Sequence, residues 1–295
     1  MDKALLTRND NIQTSRFEMP GGFMSGVHFG STDQPIKLVF LHANGFHGLA
    51  YRTLLEGLGV HVLALDLRGH GHTALPTDKP YSFYNYGQDV ATFLQRHMRH
   101  PVALAGHSLG AGAAIFAAET APEKIKKVLA FDPIVLPAFL RVLMRPKLGR
   151  AYLKQNFPLA RSTARRRDEF SSYQDVFRRY HKRGPFKAFP DAALWDYVAG
   201  GFVEHKGGVR LACRPLWEQS NYITQSENLT KAMVKLPSHS HLIVTAYIKG
   251  ANRWVRTLAR KRPDLQLEYS AELDHFFPIL NPEFSANALT QIIRE

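Results

Sequence analysis

The sequence predicts an α/β protein. Its sheet is doubly wound, mostly parallel and eight-stranded, and a helical segment is inserted before the last two strands. Three observations carry this. First, short apolar runs alternate with helical stretches over residues 1–133 and again over 237–295. Such runs suit strands buried on both faces, joined by right-handed helical crossovers. Second, Pro101–Gly112 sets an apolar run, a tight glycine turn and a small-residue run in direct succession. Third, the strand pattern stops over residues 134–236, where the chain turns aromatic, basic and helical in texture.

Taken in order, Gln13–Met19 and Phe23–Phe29 read as a hairpin about Pro20-Gly21-Gly22. Ile36–Leu41 and Val60–Asp66 read as buried strands, with a helix over Tyr51–Leu58 between them. Tyr86–Met98 has helical spacing, with Val90, Phe93, Leu94 and His97 on one face. Val102–Ala105 and Lys127–Phe131 are the next strands, and Ala111–Ala118 is a helix between them. After the insertion, which contains no buried strand in this reading, strands are expected at His241–Tyr247 and Leu265–Tyr269. Helices are expected around Trp254–Arg260 and Asn281–Ile293. Gly200-Gly201 and Gly207-Gly208 read as loops.

At 295 residues the chain can bury one large core. Its 45% apolar content is that of an ordinary globular protein, and no apolar run approaches the roughly 20 residues of a membrane span. Met1–Asp10 has no signal-peptide pattern. The single cysteine, Cys213, excludes an internal disulfide and a CxxC metal site. Together these lead to an expectation of a cytoplasmic protein. The net charge of +13 is concentrated between Pro133 and Lys235, with 19 Lys/Arg against 8 Asp/Glu. A solvated basic surface takes precedence there over docking on a membrane, and no nucleic acid is expected. No phosphate-binding GxxxxGK[ST] loop is present, and no histidine cluster has zinc-ligand spacing.

The informative stretch is Gly106-His107-Ser108-Leu109-Gly110, which fits G-x-S-x-G between a strand and a helix. That context is a nucleophile elbow: Ser108 sits in a strained turn with its hydroxyl above the sheet. The helix N-terminus beneath it offers N–H groups to an oxyanion.

Three further motifs accompany it in order: His42-Ala43-Asn44-Gly45, Asp66-Leu67-Arg68-Gly69-His70-Gly71 and Asp274-His275-Phe276-Phe277-Pro278. In order and approximate spacing these resemble the α/β-hydrolase fold superfamily, over the whole chain except the insertion. The resemblance implies a serine hydrolase with a helical cap. Ser108 would be the nucleophile, and His275, after the last strand, its base. Backbone N–H groups of Asn44 and Leu109 would form the oxyanion hole, with an added donor from the Asn44 side chain. Ala43 departs from the usual glycine.

The acid is also unusual. Pro237–Pro263, where many relatives carry it, contains no Asp or Glu. Asp132, after the strand that follows the elbow helix, takes the role, with Asp274, Glu272 and Glu218 as competitors. The haloalkane dehalogenase branch places its acid similarly but uses an aspartate nucleophile, so dehalogenation is rejected. His42, His70 and His107 read as structural, as do Asp66 and Arg68. Phe139, Trp195, Tyr197 and Phe202 are candidates to line an apolar pocket or to pack the cap.

The expected partner is a small-molecule acyl substrate: a small or medium ester, lactone or thioester. No cofactor or metal is called for. The alternatives are a carbon–carbon bond hydrolase or cofactor-free perhydrolase on the same scaffold, or a non-catalytic binding protein. Oligomeric state is left open.

Overall fold

The computed structural model describes residues 12–294, so the Met1–Asp10 reading lies outside the described residues. Its strands are β1 (Thr14–Met19), β2 (Gly22–Phe29), β3 (Leu38–Leu41), β4 (Val62–Leu65), β5 (Val102–His107), β6 (Ile125–Phe131), β7 (Glu169–Phe170), β8 (Phe202–His205), β9 (Gly208–Leu211), β10 (His241–Thr245) and β11 (Gln266–Ser270). Eight of them form one sheet in the order β1-β2-β4-β3-β5-β6-β10-β11. The β1–β2 and β2–β4 pairs are antiparallel and the rest parallel.

Side-chain alternation along the strands builds a core on each face. Val39 and Leu41 of β3 join Leu63, Leu65 and Leu104 on one side. Leu38 and Phe40 join Val62, Ala64, Ala103 and Ala105 on the other. The first face is covered by α1 (Phe83–His97) and α2 (Leu109–Thr120). Ser82 and Asn85 close α1 with a reciprocal capping box. The second face is covered by helical turns at residues 48–58 and by the C-terminal helix Pro282–Arg294, through Leu54, Leu55, Leu289 and Ile292.

Between β6 and β10 lie α3 (Ala138–Met144), α4 (Lys147–Asn156), α5 (Pro158–Ala164), α6 (Tyr173–Tyr180), α7 (Asp191–Gly201), α8 (Pro215–Asn221) and α9 (Leu229–Met233). This insertion is not wholly helical as expected: it holds a three-stranded antiparallel sheet, β7-β9-β8. Its strands are two to four residues long, and Glu204 and Arg210 interrupt the apolar positions. No continuous apolar run therefore marks them.

Two further expectations are corrected. Gly200-Gly201 is not a loop but the end of α7, where the His47 ring packs so closely that an added Cβ would lie 2.6 and 3.2 Å from it. Residues 51–58 form a chain of short turns rather than one helix. No helix among the described residues is long and apolar enough to cross a membrane.

Candidate active site

The elbow follows from crowding. Gly106 and Gly110 both have ordinary negative φ; Ser108 is the residue in the strained conformation, at φ 55° and ψ −109°. The glycines are required because backbone comes too close for a side chain. A Cβ on Gly106 would sit 2.3 Å from the Gly110 carbonyl, and one on Gly110 would sit 2.2 Å from the Leu41 carbonyl oxygen. Strand β5 can therefore turn straight into α2 beneath β3. The Ser108 N–H donates to Phe131 O at 2.9 Å and its carbonyl accepts from Gly112 at 3.0 Å, which fixes the turn on both sides.

Asp132 and His275 meet at the ends of β6 and β11. Asp132 also has positive φ, 46°, and its N–H donates to Ile243 O at 2.7 Å. Its carboxylate accepts from the Thr245 N–H at 2.9 Å, from the Thr245 hydroxyl at 2.8 Å and from His275 Nδ1–H at 2.5 Å. With Nδ1 carrying the proton, the lone pair of His275 lies on Nε2. The ring is stacked on the Tyr247 ring at 4.1 Å and lies 4.8 Å from the tilted His107 ring. Ser108 is the residue after His107. Its hydroxyl makes no hydrogen bond among the described residues, as is common before a substrate tightens the site.

The competing acids are occupied elsewhere. Asp274 accepts from the Phe276 N–H at 2.7 Å and caps that turn. Glu272 is exposed. Glu218 pairs with Arg166 at 2.6 Å.

The loop His42-Ala43-Asn44-Gly45 is held by a network the sequence did not reveal. The Ala43 N–H donates to Tyr51 Oη at 3.1 Å, so the loop's free N–H is that of Asn44. Tyr51 donates onward to His107 Nδ1 at 2.7 Å, and His107 Nε2–H donates to the His275 carbonyl at 2.8 Å. One buried chain thus links the Asn44 loop to the His275 loop. It requires a neutral His107, and burial together with the nearby His275 holds that ring well below its usual pKa. His42 and His70 serve similarly: each accepts at Nε2, from Leu67 and Gly45 N–H respectively, and donates from Nδ1 to a carbonyl. Asp66 accepts from Gly48 and His72 N–H groups, and Arg68 pairs with Asp89 at 2.8 Å.

The Asn44 side chain is anchored to the insertion: one N–H of Nδ2 donates to the Glu218 carbonyl at 3.1 Å, and Oδ1 accepts from Asn221 at 2.9 Å. Of the four aromatic residues singled out, only Tyr197 reaches the site, donating to the Gly45 carbonyl at 3.2 Å and packing on Phe46. Phe139 points into solvent, while Trp195 and Phe202 pack against Phe177 and Phe170 inside the insertion. The aromatic residue of this group that adjoins His275 is Phe276, which is backed in turn by Phe46 and Phe189. Thr245 and Tyr247 were also missed. Both sit at the end of β10, and no spacing rule marks them.

A model of the α/β hydrolase family matches residues 38–288. A 2-(acetamidomethylene)succinate hydrolase of Mesorhizobium japonicum is 25% identical over 268 residues, covering 84% of this chain and 86% of that protein. The esterase Rv0045c of Mycobacterium tuberculosis is 32% identical over 120 residues, covering 41% of this chain and 39% of the esterase. The crystal structure of an E-2-(acetamidomethylene)succinate hydrolase superposes with a TM-score of 0.77 at 19% identity, over 97% of this chain and 100% of that one. The family match spans β3 to the last helix, and the strand order and elbow agree with it: the chain belongs to the α/β hydrolase family.

Proposed function

We propose that the protein is a serine hydrolase that cleaves a small or medium carboxylic ester, lactone or thioester through an acyl-enzyme on Ser108. The observation that carries this reading is the 2.5 Å bond from His275 Nδ1 to Asp132, which leaves Nε2 as a base beside the elbow. His275 takes the Ser108 proton as Oγ adds to the carbonyl carbon, and the N–H groups of Asn44 and Leu109 receive the oxyanion. The imidazolium returns the proton to the departing alcohol or thiol. Water then adds to the acyl carbon as it loses a proton to His275, and the C–Oγ bond breaks as His275 returns that proton to Ser108, releasing the acid.

Residues 134–236 act as the cap, which is bonded to the oxyanion loop through Tyr197, Glu218 and Asn221. Arg166 donates to Tyr197 at 3.0 Å but is already neutralised by Glu218. That supports an uncharged acyl group over the succinate derivative named for the Mesorhizobium relative.

The test is a nitrophenyl ester series from acetate to palmitate, with Ser108→Ala in parallel. The expected result is turnover with a chain-length optimum, reduced about 10⁵- to 10⁶-fold in the mutant. Inert esters throughout, or undiminished turnover by Ser108→Ala, would overturn the reading.

A further inference from the structure

We propose that the outer face of α3 and α4 is a docking surface for an anionic lipid bilayer. From Pro133 to Arg167 the chain carries nine Lys/Arg and no Asp or Glu; six of them lie between the start of α3 and the end of α5, and Arg166 and Arg167 beyond it pair with Glu218 and Asp175. The same helices expose large apolar side chains. Phe139 and Val142, at i and i+3 on α3, are 69% and 59% exposed; Leu148 and Tyr152, at i and i+4 on α4, are 84% and 59% exposed. These spacings put each pair on one helix face.

The opposite stripe, with Met144 and Leu153, is buried against Ala160 and Ile223. The exposed stripe is therefore surplus to packing within the chain. Leu216, 70% exposed, lies on α8, which packs against α5. α8 also carries Asn221, which bonds Asn44 of the oxyanion loop. The face is thus built on the elements that frame the site.

Charge and shape together select the partner. A second copy would set one uncompensated basic face against another. A nucleic acid would meet the cations, but Leu148 and Val142 have nothing to gain from phosphates. An anionic lipid surface takes both, with apolar side chains at the acyl boundary and Lys/Arg at the headgroups. The exposure of this stripe is what reverses the precedence of a merely solvated surface. Each basic residue near such a surface multiplies the partition constant about fivefold, ~1 kcal/mol at 25 °C.

The experiment is co-sedimentation of the full chain with phosphatidylcholine vesicles, with and without phosphatidylglycerol. Binding is expected only to the anionic vesicles at low ionic strength, with release near about 1 M salt, where the Debye length is about 3 Å. The triple variant Arg145→Glu, Lys147→Glu, Lys154→Glu should weaken binding at least about a hundredfold. Phe139→Ser with Leu148→Ser should weaken it about tenfold or more with the melting temperature unchanged, since both side chains already face water. No binding to anionic vesicles, or binding indifferent to both variants, overturns the proposal. So does a concentration-dependent dimer abolished by the serine variant, or oligonucleotide binding lost only in the charge variant, if either occurs without vesicle binding. The salt series and the serine variant keep the test decisive if the charge variant fails to fold.

Discussion

Asp132 holds the histidine tautomer through one hydrogen bond while two donations from Thr245 fix its own carboxylate. Asp132→Asn keeps the shape but can present an N–H where an acceptor is needed. The expected consequence is a fall in kcat of about 10³–10⁴, read from ester turnover; a loss below about tenfold would mean another group orients His275. Tyr51→Phe tests the buried chain from Ala43 to His275. It strands the Ala43 N–H and His107 Nδ1, so unfolding in urea should show a loss of about 1–3 kcal/mol. Because both loops are then less firmly placed, kcat should fall by about one to two orders of magnitude with KM little changed. An activity equal to that of the unsubstituted protein would reduce Tyr51 to packing. The pairing of Asp132 with His275 was legible because the stretch after β10 contains no carboxylate at all. Tyr51 and Tyr247 were not, since their contacts arise only when residues far apart in the chain are folded together.

At the scale of the element, the elbow is a close approach of three backbones. Gly110→Ala drives a methyl group into the Leu41 carbonyl, and relief requires α2 to move off β3. We expect this variant to lose more stability than any exposed glycine substitution, by several kcal/mol in urea unfolding; Gly57→Ala, which meets open space, is the comparison. The insertion is tied together internally by a buried pair, Arg166 with Glu218 of α8, whose side chains are 23% and 6% exposed. Arg166→Met leaves the carboxyl without its partner and should cost about 3–5 kcal/mol, whereas replacing both by apolar residues should cost much less. A double-mutant cycle measures this, and additive single effects would show that the pair is not coupled. The parallel strands were legible because burial on both faces makes them continuously apolar. The small sheet of the insertion was not, because strands of two to four residues fall below the length at which alternation is visible.

For the molecule as a whole, four buried rings set its response to acid. His42, His47, His70 and His107 are kept neutral chiefly by burial, with His47 pushed down to about 3 and His70 to about 4. In the unfolded chain such rings take up a proton near pH 6.5. Between these limits the unfolded state binds more protons, so their stabilisation is complete above about pH 6.5 and declines as pH falls. Each ring contributes about 1.4 kcal/mol per pH unit. Burial raises the Asp66 and Glu218 carboxyls, which works the other way, but it also holds down His28 and His241, so the lowered rings outnumber them. The melting temperature is expected to drop steeply from about pH 6.5 to about pH 5. A flat profile over that interval would show that the rings titrate normally. The fold class was legible in the alternation of apolar runs, and the net charge was legible as a number. What the charge adjoins was not: exposure of Phe139 and Leu148 depends on which stripe of α3 and α4 the core takes up.

Reaction with a fluorophosphonate, read by intact mass and peptide mapping, tests most directly whether Ser108 is a nucleophile activated by the His275–Asp132 pair. A single adduct on Ser108 is expected, absent in Ser108→Ala and formed at least about a hundredfold more slowly in Asp132→Asn. No adduct on Ser108, or one formed at the same rate without Asp132, would contradict it.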